Sequence, residues 1–91
     1  MIIKHTEEGG NGAFYIEENG EVLAEMTYQK DNNKIVIDHT EVDESLRGKN
    51  VGYQLVENGV EYAREAHLRI VPVCEFAKAV IEKTQKFQDV L

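Results

Sequence analysis

Two features of this 91-residue chain carry most of its chemistry: the loop "RGKNVG", Arg47 to Gly52, and a lone cysteine, Cys74. The loop joins a charged run without apolar periodicity to a stretch with helical spacing. A strand that passes through a glycine-containing loop into a helix leaves several backbone N–H groups unpartnered and aimed at one spot. The helix dipole adds partial positive charge there, so a phosphate is the anion such a spot holds best. Gly48 and Gly52 permit close approach of the backbone, because a side chain would block it. Asn50 is the non-glycine residue most tolerant of left-handed geometry. Arg47 and Lys49 add charge beside the loop. The spacing matches neither G-x-x-x-x-G-K-[ST] nor G-x-G-x-x-G after a first strand. Taken alone, the six residues are either a phosphate-binding loop or an ordinary loop rich in surface charge.

Cys74 stands where the apolar "IVPV" gives way to a second helical stretch. A helix N-terminus lowers a thiol pKa and favours the thiolate; the alternative is a small buried residue filling a strand end. His39 lies near the end of the strand before the loop. Its side chain alternates with Ile37 and is expected on the inward face, as a base, as a group orienting Cys74, or as a hydrogen-bonded structural histidine. Glu41 and Glu75 fall near the same gap and either relay a proton through water or are solvated. The three histidines and one cysteine are scattered, with no metal-ligand pattern.

The elements that must position these residues follow from periodicity and turn chemistry. Ile2–His5 reads as a short strand closed by a flexible "EEGGNG", Glu7 to Gly12. Asn19-Gly20 between two β-prone segments is a hairpin signal. Asp31 to Lys34 is a second turn, and "KIVIDHTEV", Lys34 to Val42, a further strand rich in β-branched residues. From Val51 the period becomes helical: Val51, Leu55, Val56, Gly59, Val60 and Ala63 share one face of a helix ending near Ala66-His67. "LRIVPV" is the next strand, with Pro72 where pairing ends, and "EFAKAVIEKTQK", Glu75 to Lys86, the next helix. A strand, a helix and a strand in that order make a crossover with parallel strands. The fold class is mixed α/β: an antiparallel N-terminal meander, then a β-α-β crossover with two splayed parallel strands and a C-terminal helix.

The length fits one domain, residues 1–91. Hydrophobic residues at 42% and charged residues at 30% describe a soluble globular chain. A net charge of −7 argues against nucleic acid as a partner and suits either solubility or a cationic acceptor. The start of the chain lacks the apolar core of a signal peptide, and one cysteine fits a reducing compartment, so the expected location is the cytosol.

"EVDESLRGKNVGYQLVENGVEYAREAHLRIVPVC" resembles the cofactor-binding core of the GNAT superfamily of acyl-CoA-dependent N-acetyltransferases, and in particular its very small single-domain members. The superfamily pattern R/Q-x-x-G-x-G/A is carried by Arg47, Asn50 and Gly52, with Asn50 in place of the first glycine. The resemblance implies acetyl-CoA as cofactor, its pyrophosphate held by the amides of Gly48, Lys49, Asn50, Val51, Gly52 and Tyr53. It implies that Thr40, Glu41 and Val42 pair with the pantetheine arm like an added strand. Relatives commonly place a tyrosine early in the helix after the second parallel strand, to protonate the departing thiolate. This chain has Phe76 in that region, and Cys74 is the candidate to accept the acyl group or supply the proton. The implied activity is acetyl transfer to an amine, the alternative a non-enzymatic acyl-CoA-binding or sensing module.

Overall fold

In the computed structural model, which describes residues 1–91, the N-terminal half is set by three two-residue turns. Asn19 and Gly20 take φ of 54° and 80°, the positive values a type I′ turn requires. They join β2 (Asn11–Glu18) to β3 (Glu21–Asp31). Gly9 and Gly10, with φ of 60° and 85°, do the same between β1 (Lys4–Glu8) and β2. Here the structure corrects the sequence: "EEGGNG" is a hairpin, with Glu7 opposite Gly12 and Glu8 opposite Asn11, and β1 begins at Lys4 instead of Ile2. The glycine pair acts as turn chemistry and not as a flexible breaker.

β4 (Lys34–Val42) follows the turn at Asn32, and α1 (Val51–Ala66) crosses to β5 (Arg69–Pro72), which runs parallel to β4. The sheet order is β1-β2-β3-β4-β5, the mixed α/β architecture expected. Pairing of β4 with β5 stops at Ile37 opposite Pro72, where the missing N–H ends the ladder.

One face of the sheet is buried and the other is open. Phe14, Ile16, Ala24, Met26, Tyr28, Ile35, Ile37 and Ile70 alternate along their strands toward the helices. All six residues of the expected α1 stripe are buried against them. Gly59 sets how closely α1 lies on the sheet, since a Cβ there would stand 2.8 Å from Met26 Cε. α2 (Glu75–Lys83) adds Ala77 and Ile81 to the same core. It is shorter than the sequence suggests. The backbone becomes extended at Thr84, and a 3₁₀ turn over Gln85–Val90 then buries Phe87 and Val90, whose spacing of three fits three residues per turn. No helix is long and apolar enough to cross a membrane.

A polar cluster ties β1 to the sheet and to α1. The Tyr28 hydroxyl donates to Glu7 Oε1 at 2.7 Å, and Tyr62 donates to the same oxygen at 2.7 Å. With its proton committed to Glu7, Tyr28 accepts from His5 Nε2 at 2.6 Å, and the His5 ring stacks on Phe14 with centroids 4.1 Å apart. Lys30 Nζ approaches Glu7 Oε2 at 3.3 Å. These donors, Tyr28 first and then Tyr62, hold the Glu7 carboxyl at about 2. A carboxylate depressed on folding stabilises fully above its ordinary value near 4.5, and that contribution is lost as pH falls toward 2. Glu7→Gln is therefore expected to cost about 1 kcal/mol at pH 7, less than the full linkage because the side chain is partly open to solvent. Urea unfolding of both proteins should show the gap shrinking between pH 4.5 and 2; a gap that ignores pH would remove the ionised carboxylate from the account.

Candidate functional site

Beyond β4 the chain is turned by Asp43, whose carboxylate accepts from the Ser45 amide at 2.9 Å and from its hydroxyl at 2.6 Å. This caps a short 3₁₀ turn, Glu44–Leu46, that buries Leu46 and leaves Arg47 extended. Two left-handed residues follow, Gly48 with φ 81° and Asn50 with φ 61°. Asn50 is the N-cap of α1, yet its side chain makes no capping hydrogen bond, and the first turn holds no acidic residue. The amides that a cap would satisfy are thus left for something else.

They border a cavity of about 750 Å³. β4 supplies its floor with Thr40 and Val42. One wall is the loop and the start of α1, from Leu46 and Arg47 through Gly48, Asn50 and Val51 to Gly52 and Tyr53. The other wall is α2, through Phe76, Val80, Lys83 and Thr84. A chain with 17 acidic residues places none of them in this lining, where the charged side chains are Arg47 and Lys83. A second cavity, of about 570 Å³, is its electrostatic opposite, lined by Glu25, Glu41, Asp43 and Glu44 with Arg47 between the two. Only the first suits an anion.

Gly52 lets the ring of Phe76 approach α1 closely, in a manner the sequence does not reveal. A Cβ at this position would lie 2.4 Å from Phe76 Cζ, so any side chain here collides with the facing helix. The groove is the slot left where α1 and α2 approach each other.

Cys74, the N-cap of α2, is half-buried and does not itself line the groove; it reaches it through Thr40, whose Oγ1 is 3.4 Å from its Sγ. Burial opposes ionisation of the thiol. The Thr40 hydroxyl and the amides of Ala77 and Phe76 in the first turn of α2 outweigh it, and the pKa is lowered. The amides of Val73 and Cys74 both donate to Ile37 O at 2.9 Å, fixing the bend at which the two parallel strands part.

His39 is not brought to Cys74. Tyr28 opposes Ile37 while Thr27 opposes His39, so Asp38 is an extra residue, a β-bulge. The bulge shifts the alternation by one. Thr40 and Val42 now share the core face with Ile37, whereas His39 and Glu41 lie on the open face and are exposed. The expectation that His39 faces inward with Ile37 is thereby corrected, and Thr40 occupies the place beside the thiol. Of the other anticipated residues, Thr40, Val42, Arg47, Gly48, Asn50, Val51, Gly52 and Tyr53 converge on the groove, but Glu41 and Lys49 do not line it. Glu75 is exposed in the first turn of α2. Sequence reading missed Leu46 on the loop wall and, on the α2 wall, Val80, Lys83 and Thr84. The spacing of these last three from Phe76 marks one helical face, distinct from the Ala77–Ile81 core face, and that stripe was the available signal.

The family model described as GCN5-related N-acetyl-transferase matches residues 13–90. The chain is 43% identical to a GCN5-like protein from Staphylococcus aureus, with a TM-score of 0.75 over 96% of this chain and 85% of that one. The ribosomal-protein-S18-alanine N-acetyltransferase of Escherichia coli shares the fold, with a TM-score of 0.69 at 16% identity. The match covers 85% of this chain but 53% of that enzyme, so the chain spans about half its length. Tetrahymena GCN5 likewise shares the fold, with a TM-score of 0.67 at 11% identity over 84% of this chain and 51% of that one. Comparison with curated proteins returns no match.

Proposed function

Because the chain belongs to the GCN5-related N-acetyltransferases, we propose that residues 1–91 form one domain that binds acetyl-CoA in this groove and transfers its acetyl group to an amine. The observation that carries the reading is the acid-free lining beside the uncapped start of α1 in a chain of net charge −7. An anion is the ligand such a groove selects.

β4 outruns β5: the last parallel rung is Ile37 opposite Pro72, while β4 continues to Val42. From Asp38 onward its outer edge has no strand partner. An extended pantetheine arm, with two amides, completes that edge as an added strand. The amides of Gly48 and of Asn50 to Tyr53, with the Arg47 guanidinium, hold the pyrophosphate, whereas the Lys49 amide is taken by Leu46 O. In this reading the thioester lies beside Thr40 and Cys74, whose Oγ1 and Sγ are 3.4 Å apart. The cofactor supplies an activated acyl group, and its departing thiolate needs a proton. Cys74, with its lowered pKa, is the group we assign to give that proton, or to take the acyl group itself before an amine does.

Binding without transfer is the second reading. It is favoured by the open sheet face, on which His39, Asp38 and Glu41 stand exposed with no wall to hold an acceptor. Titration with coenzyme A should shift the amide resonances of Gly48 to Tyr53 and of Val42 more than those of the Asn19-Gly20 hairpin; uniform shifts, or none, would sink the groove assignment. Incubation with acetyl-CoA and a panel of amines, scored for released thiol, then separates transfer from binding alone.

A further inference from the structure

We propose that Lys83 recognises the ribose 3′-phosphate of the cofactor and makes the groove select coenzyme A over its 3′-dephosphorylated form, an inference that rests on reading the groove as an acyl-CoA site. Lys83 lies nine residues beyond Cys74, the N-cap of α2, about 14 Å at 1.5 Å per residue. Phe76, Val80, Lys83 and Thr84 succeed one another along its groove face. The thiol therefore stands behind Thr40 near one end of the groove, and the ammonium at the other. With the thioester at Cys74, the nucleotide lies at Lys83.

Coenzyme A carries two separate anionic groups at that end, a pyrophosphate and a phosphomonoester. The loop wall provides for the first, with backbone amides at the start of α1 and the Arg47 guanidinium. Lys83 faces the groove from the opposite wall. Lys4, Lys30, Arg64 and Lys86 each have a carboxylate partner within 4.0 Å, whereas Lys83 has none. No acidic side chain of the groove lining can neutralise it. A phosphomonoester near pH 7 carries close to two charges, and a compact ammonium suits it as a point charge. Thr84, half-buried at the end of α2, adds a hydroxyl within the same lining.

Calorimetric titration of the full chain with coenzyme A and with 3′-dephospho-coenzyme A tests the assignment. The wild-type protein is expected to prefer coenzyme A by about tenfold at low salt. Lys83→Met should erase that preference, weakening coenzyme A by about tenfold while leaving the dephosphorylated ligand unchanged. Lys78→Met removes the same charge from the same helix away from the groove, and should keep the preference. Both lysines are exposed, so both variants should keep the wild-type circular dichroism spectrum. Equal weakening of the two ligands by Lys83→Met would assign the lysine to the pyrophosphate and overturn the proposal, as would no weakening of either. A wild-type protein that binds both ligands equally overturns the Lys83 assignment alone. One that binds neither overturns the acyl-CoA reading and this inference with it.

Discussion

Cys74→Ser should leave coenzyme A affinity within about twofold and slow acetyl transfer by about a hundredfold or more, the range that loss of a general acid or nucleophile gives. The two outcomes separate because the groups proposed to bind and the group proposed to react lie on different elements. The amides belong to the loop and the start of α1, with Arg47 just before them, whereas Cys74 caps α2 and touches the groove through Thr40. Serine keeps the size and the Thr40 partner but replaces a thiol of lowered pKa with a far weaker acid. The half-buried position already accommodates a polar contact, so the variant should fold. Acetyl-CoA alone distinguishes the thiol's two possible roles. A nucleophile leaves one acetyl group on the protein, labile to hydroxylamine, and its rate rises with pH from below the ordinary thiol range. A proton donor leaves no label. Unchanged turnover in the serine variant, with no label on the wild type, would return Cys74 to a packing role.

Gly52→Val is expected to weaken coenzyme A by more than about tenfold with little loss of stability. A side chain here meets the Phe76 ring, whose Cζ would be 2.4 Å from the new Cβ. Phe76 is 45% exposed and can turn away, so the fold survives. The slot between α1 and α2 does not, because valine and the displaced ring compete for the space a ligand needs. The combination of Gly52→Val with Phe76→Ala decides between two mechanisms. If the ring transmits the effect, the double variant recovers most of the affinity, a strong non-additivity between neighbours. If valine instead crowds the pyrophosphate directly, the double variant binds as poorly as the single one.

What was legible in the sequence was whatever a local period or a turn dipeptide encodes. The bounds of β4 and the six buried positions of α1 follow from β-branched residues and a repeat of 3.6, and the loop geometry at Gly48 and Asn50 follows from the few residues that accept positive φ. The position of His39 did not follow. A single inserted residue at Asp38 reverses every side chain beyond it, and nothing in the composition of "IVIDHTEV" marks which residue is the extra one. Two other features depend on chain segments far apart in sequence. Thr40 and Cys74 meet across 34 residues, and Lys83 reaches the groove only because α2 packs beside the loop. The glycine pair at Gly9-Gly10 was visible but ambiguous, since the same dipeptide serves a slack linker and a tight hairpin.

The strictly sequential strand order has a kinetic consequence. β1, β2 and β3 each pair with the next strand through a two-residue turn, whereas β4 meets β5 only after the whole of α1 has been laid down between them. Closing a short turn costs little chain entropy, and closing the crossover costs more. The meander is thus the early-forming unit, and the parallel junction with α2 the late one. The groove takes its floor from the first and a wall from the second, so it is among the last parts assembled and the first lost in partial unfolding. A ligand that bridges the two acts as a clamp on the least stable cooperative unit, and its measured affinity includes the work of holding that unit closed.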